Sequence, residues 1–143
     1  MEVKVKLLDP RATLPTRGSE EAAGADLRTL EALTVPAHQT VQAHTGIALE
    51  LPRGYAGLVY ARSGMALNRG LAPANKVGVI DSDYRGEIMV SLHNHLDEDA
   101  HIEAGERIAQ LVITPVVLPD FVLSDSITDT ARGAGGFGST GTK

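Results

Sequence analysis

A chain of 143 residues is long enough to bury one real core, and with no cysteine it forms neither a disulfide nor a thiolate metal site. Its formal net charge of −5 and pI near 5.5 argue against a long nucleic-acid partner, which would need many neutralised phosphates, but leave room for a small anion beside a few arginines. The opening "MEVKVKLLDP" alternates charged and apolar residues, so it reads as neither signal peptide nor membrane span, and the protein is expected to be soluble and cytoplasmic.

Period-two alternation dominates the chain. Val3, Val5 and Leu7 predict a first strand. Next comes "AGADL", Ala23 to Leu27, with Asp26 after a glycine turn. In "TVQAHTGIALELP" the residues Val41, Ala43, Ile47, Leu49 and Leu51 share one parity, and in "EIMVSLHN" Ile88, Val90 and Leu92 do the same, so both stretches read as half-buried strand. "GLVYAR" adds another through Leu58 and Tyr60, and turn signals at Pro52-Arg53-Gly54, Asn68-Arg69-Gly70 and Ala104-Gly105 separate these runs. Strands at this spacing predict an all-β sandwich or jelly-roll barrel, with one short helix around Gly64 to Asn68. Aromatic residues are only Tyr55, Tyr60, Tyr84, Phe121 and Phe137, so the core must be built from Val, Leu, Ile and Ala.

"RIAQLVITPVV" differs, because Ile108 and Val112 lie on one parity while Ala109, Leu111 and Ile113 lie on the other. A strand with two apolar faces is covered on both, and an oligomer interface is the expected outer cover. Beyond it Pro115 and Pro119 break any ladder, so residues 115–130 read as an extended arm. The chain is therefore a single domain with a body at 1–114, an arm at 115–130 and a mobile glycine-rich segment at 131–143.

Four internal clusters and the C-terminal segment carry polar chemistry. Arg62 and Ser63 in "ARSG" leave a strand for a helix start, either as an anion site or as a capping serine. "NKVGVIDSDYRG", Asn75 to Gly86, reads as a strand and hairpin turn whose Asp-Ser-Asp suits turn chemistry as well as a site. Asp26 belongs to the glycine turn above, and Gln110 sits inside the doubly apolar strand, where it needs a buried partner or a ligand. In "RGAGGFGSTG" the spacing Gly133-x-Gly135-x-x-Gly138 matches the dinucleotide fingerprint, but no helix follows it, and Ser139 after Gly138 breaks the Walker pattern. A flexible tail and a backbone anion nest both fit. His93 and His95 share a strand face ahead of Asp97, Glu98 and Asp99, but spacing places no third ligand, so they read as a solvated strand end; His38, His44 and His101 receive no role.

Taken in order, "AGADL", "RSG", "NKVGVIDSDYRG", "GERIAQL" and "RGAGGFGSTG" resemble the five motifs of the trimeric dUTPases, over Ala23 to Gly141. The resemblance implies a distorted jelly-roll homotrimer with exchanged C-terminal arms and three sites at subunit interfaces. It implies hydrolysis of dUTP to dUMP and pyrophosphate with Mg2+. Asp81 matches the catalytic aspartate, and Asp26 matches the position that holds the metal through its water shell. Arg62, Ser63, Gly64 and Gln110 match phosphate contacts; Asn75, Val79, Ile80 and Met89 match positions around the base; Tyr84 matches the residue lying flat against the deoxyribose. In the arm, Phe137 would cover the uracil and Arg132 would reach the phosphates, while Gly138, Ser139 and Thr140 wrap the polyanion. Ala25 replaces a larger residue of the first motif and Ala61 a proline before the second, and neither change removes a functional side chain. Two rival readings are a deoxyuridine nucleotide-binding module without hydrolysis and a deaminase relative acting on dCTP.

Overall fold

Gly46 divides the longest alternating stretch in two. Its φ of 68° turns the chain between β5 (Thr40–His44) and β6 (Ile47–Glu50), and a Cβ there would meet Leu30 Cδ1 at 2.9 Å. The two halves then enter different sheets: β6 pairs with β1 (Lys4–Leu7), and β5 pairs with β10 (Met89–Asn94), which also takes β8 (Leu71–Pro73). The computed structural model describes residues 1–136, and its strand pairings are all antiparallel.

A small sheet joins β4 (Leu33–Val35) to β11 (Ala100–Ile102). The largest has five strands in the order β2 (Thr16–Arg17), β3 (Ala25–Arg28), β12 (Arg107–Pro115), β7 (Tyr55–Tyr60) and β9 (Gly78–Ile80). The single helix among the described residues, α1 (Ser63–Arg69), is one residue longer at each end than its sequence signal and buries Met65. The layers close on an aliphatic core whose most buried members include Leu27, Val35, Ile47, Leu71, Leu92 and Ile108. Of the buried polar residues Thr29, Thr45 and Asn94, Asn94 is the most enclosed, and it is satisfied: its amide donates to the carbonyls of Val35 and Glu98 and its oxygen accepts from the Leu96 N–H. Among the described residues no helix is long and apolar enough to cross a membrane.

Two expectations about faces need correction. On β7 the buried parity is Gly57 and Val59, not Leu58 and Tyr60, because the inward side packs against Leu111 and Ile80. Leu58 instead stands between Val112 and Val79 on the outer side of the sheet, where Val79 is 64% exposed. In β12 a bulge between Arg107 and Ala109 lets the neighbours Ile108 and Ala109 both reach the core, whereas Val112 and Ile113 are only half-buried. The strand also runs one residue past the expected limit of the body, through Pro115 at its end. Residues 116–130 then form neither helix nor strand, and their Val117, Phe121, Val122 and Leu123 are exposed.

Candidate active site

β9 lies at the edge of the five-stranded sheet, hydrogen-bonded only to β7, so its outer backbone groups face a cavity of about 240 Å³. Asn75, Val79, Ile80, Asp81, Tyr84 and Met89 all line that cavity. The turn following β9 is closed by the Tyr84 N–H on the Asp81 carbonyl, 3.2 Å, and by Arg85, whose guanidinium donates to the Ser82 carbonyl at 2.7 Å. The Asp-Ser-Asp stretch is thus both a turn and a cavity wall.

Tyr84 is fixed from below. Its ring covers Gly86, where a Cβ would come within 2.3 Å of the hydroxyl oxygen, and that hydroxyl donates to the Glu87 carbonyl at 3.0 Å. Glu87 in turn is clamped to the β5–β6 junction: one carboxylate oxygen accepts the Gly46 N–H at 2.8 Å and the other pairs with His44 Nδ1 at 2.9 Å. Burial pushes the Glu87 carboxyl up, but the hydrogen bonds from His44 and Gly46 outweigh burial and hold it below the ordinary 4.5. A carboxyl lowered on folding stabilises the fold above its unfolded value and loses that contribution as the pH falls through the folded one. Stability should therefore decline below the ordinary value of 4.5, and Glu87→Gln should flatten that part of the acid limb. Thermal melts from about pH 6 to about pH 3 measure this, and an acid limb unchanged by the substitution would remove Glu87 from the account.

A second cluster forms where β3 meets β12 and the start of α1. The carboxylate of Asp26 accepts from Arg62 Nε at 2.8 Å and from an Arg107 guanidinium nitrogen at 3.2 Å, and Arg62 also donates to the Arg107 carbonyl. Gln110, opposite Asp26 on the neighbouring strand, donates to the Ala61 carbonyl at 2.9 Å. Any residue at 61 supplies that carbonyl, so alanine serves as well as proline. Gly24 leaves the room that the Gln110 side chain fills, and Ala25 lines a cavity with Leu49, Leu111 and Ile113 that a bulkier residue would fill. At α1 the N-cap residue is Arg62 and no side-chain cap bond forms, so Ser63 is not a capping serine. Its neighbour Gly64 has open space at the Cβ position.

Sequence reasoning missed Arg107, Glu87 and His44. Arg107 had a signal, since it stands within "GERIAQL" and a half-buried Asp26 needs cationic partners. Arg132 joins neither cluster; its Nε donates to the Gly135 carbonyl in a turn begun at Thr130. Phe137, Gly138, Ser139 and Thr140 lie outside the described residues. Among the histidines, His38 pairs with Asp97 at 2.8 Å, His93 bonds Thr40, His101 bonds Thr34, and His93 meets His95 edge-on at 4.6 Å. Desolvation, then the charges of His93, Lys76 and His38, hold the exposed His95 below the ordinary histidine value.

The two clusters are far apart within one chain. Asp26, Gln110 and Tyr60 are level across β3, β12 and β7, whereas Asp81 follows Ile80, which is level with Gly57. With strands about 4.8 Å apart and about 3.4 Å per residue, the register puts Asp81 and Asp26 on the order of 20 Å from each other.

The dUTPase family model matches residues 10–141. The chain belongs to the dUTPase family. It is 47% identical to a deoxyuridine 5'-triphosphate nucleotidohydrolase of Desulfitobacterium hafniense over 97% of each chain, and 45% identical to one of Nautilia profundicola over 99% of each. Among solved structures it resembles the dUTPase of Staphylococcus bacteriophage 80alpha, a G164S mutant with dUpNHpp, at a TM-score of 0.92 and 28% identity over 99% of both chains. Its mostly β architecture with one short helix is accordingly the dUTPase jelly roll.

Proposed function

We propose that this dUTPase-family chain converts dUTP and water to dUMP and pyrophosphate by attack at the α-phosphate, in sites shared between the subunits of a homotrimer. The observation that carries the reading is the separation of the two clusters. One triphosphate is shorter than the roughly 20 Å between Asp81 and Asp26 that the strand spacing gives. A single nucleotide meets both clusters when they come from different copies. The apolar outer face at Leu58, Val79 and Val112, and the exposed apolar arm, supply surface for such contacts.

On this reading uracil enters the cavity beside β9, whose edge-strand amides and carbonyls are fixed. Uracil offers a donor at N3 between two acceptors and cytosine does not, so fixed backbone groups reward one base and leave the other unpaired. Close approach of the strand excludes the thymine methyl. Tyr84 lies flat against the deoxyribose and leaves no space for a ribose hydroxyl. Asp81 orients and polarises the attacking water, and Arg62, Ser63, Gly64 and Gln110 of a neighbouring copy hold the phosphates, the guanidinium spanning paired oxygens. Arg132, Phe137, Gly138, Ser139 and Thr140 close over the nucleotide.

Asp26 suits a hydrated magnesium ion better than a bare one. Each of its oxygens takes a guanidinium N–H, from Arg62 or Arg107, and retains lone pairs for water. Magnesium held there on the triphosphate would draw negative charge toward the departing pyrophosphate.

Pyrophosphate release measured against dUTP, dCTP, dTTP and UTP tests the reading. Turnover of dUTP, with the other three at least about a hundredfold lower in kcat/KM, is the expected result. Tight dUTP binding without release would make the chain a sequestering module, and ammonia from dCTP would make it a deaminase relative.

A further inference from the structure

We propose that Glu87 and His44 are positioning residues that set deoxyribose selectivity by fixing the plane of Tyr84. This rests on the reading of Tyr84 as the platform for the sugar. Tyr84 is 43% exposed, and its ring and hydroxyl are held through Gly86 and the Glu87 carbonyl. Its position is therefore only as firm as the Gly86–Ile88 backbone. That backbone lies ahead of β10, outside any ladder.

What holds it is a set of cross-links to the β5–β6 junction, made by residues about forty positions earlier in the chain. The Ile88 N–H donates to the Ile47 carbonyl at 2.8 Å, and the Thr45 hydroxyl donates to the Ile88 carbonyl. The Glu87 carboxylate adds the two bonds to Gly46 and His44. The turn at Gly46 is what presents its N–H to the carboxylate. Other charges share that side of the molecule, since Asp9, Arg11 and Glu31 line one cavity with His44 and Glu87. Arg11 is already engaged by Asp9 at 2.8 Å and Glu31 at 3.3 Å, which leaves His44 as the partner of Glu87.

Steric selection against one hydroxyl depends on the ring standing within van der Waals reach of the sugar. Releasing the Glu87 side chain loosens the peptide that carries the ring, which then keeps only the Ile88 bonds to Ile47 and Thr45. A hydroxyl then fits by pushing Tyr84 aside, while base recognition is kept, because β9 lines the same cavity as Glu87 but is held by its pairing with β7 and not by the clamp.

The test compares kcat/KM for dUTP, UTP and dCTP in the intact chain and in Tyr84→Ala, Glu87→Ala, His44→Ala, the His44→Ala/Glu87→Ala double variant and Glu87→Gln. The UTP-to-dUTP ratio should rise most in Tyr84→Ala, by about tenfold in Glu87→Ala, and less in His44→Ala, where the Gly46 bond survives. The double variant should match Glu87→Ala, since both changes break one clamp. Glu87→Gln should restore the ratio, because its amide oxygen still accepts from Gly46 and its amide nitrogen can donate to His44 Nδ1. The dCTP-to-dUTP ratio should not move in any of the clamp variants. A merely structural role would depress all three substrates in parallel and leave both ratios intact. An unchanged UTP-to-dUTP ratio in Glu87→Ala, with a raised one in Tyr84→Ala, overturns the positioning inference. An unchanged ratio in Tyr84→Ala overturns the sugar-platform reading itself, and the inference with it. Should Glu87→Ala fail to fold, the ratio in His44→Ala, whose side chain is more than half exposed, decides the matter.

Discussion

Asp81→Asn should bind dUTP with near-normal affinity and lose about a thousandfold in kcat, the middle of the range for removing a positioned acid–base group. The reason is local. Asp81 stands just past the edge strand β9, and its main chain closes the turn by accepting the Tyr84 N–H, a bond that asparagine keeps. The amide has the same shape as the carboxylate, so the cavity wall and the β9 backbone proposed to read the base are undisturbed. Only the negative charge, which on the proposed reading polarises water, is removed. Pyrophosphate release gives kcat and calorimetry with a non-hydrolysable dUTP analogue gives affinity. Near-normal kcat with unchanged binding would move the water-activating role to another residue.

How far the sequence could be read depended on whether a feature is local. Alternation placed β5, β6 and β10 correctly, because a half-buried strand imposes period two on its own residues. It failed on β7, where both parities hold apolar residues and nothing local says which faces the core: Gly57 and Val59 went inward while Leu58 stayed half-exposed. It also treated Ile108 and Ala109 as opposite faces, because a bulge has no signature in a list of side chains. The site divides the same way. The candidate residues of one contiguous turn, Asn75, Val79, Ile80, Asp81 and Tyr84, were legible together and do line one cavity. Pairs made across the chain were not. Asp26 meets Arg62 and Arg107, and Glu87 meets His44, over separations of 36 to 81 residues, and a periodic pattern names a face but never a partner. His44 shows the cost, since a residue left without a role on sequence grounds joins Gly46 in anchoring Glu87.

Removing the chain after Thr130 should leave a folded assembly that hydrolyses dUTP about a hundredfold more slowly or worse, the scale expected when bound groups lose their alignment. Folding should survive because, among the described residues, the aliphatic core ends with β12 and none beyond Pro115 belongs to it. Assembly should survive because the apolar stretch at Val117, Leu118, Phe121, Val122 and Leu123 is retained; these side chains are exposed on the single chain and need a cover that another copy can provide. The lost residues carry Arg132, the glycines and Phe137, which on the proposed reading close over the nucleotide and exclude bulk water. The sharper experiment mixes this truncated chain with Asp81→Asn under conditions that exchange subunits. The truncated chain brings an intact Asp81 and no closing segment, and the full-length variant brings the segment without the carboxylate. Each preparation alone is nearly inactive. If Asp81 and the closing segment of one site come from different copies, hybrid trimers contain some sites with both, and part of the wild-type rate returns. Sedimentation must show that hybrids formed; with them present, failure to recover any activity would mean that each chain closes over its own Asp81, and the shared-site reading would fall.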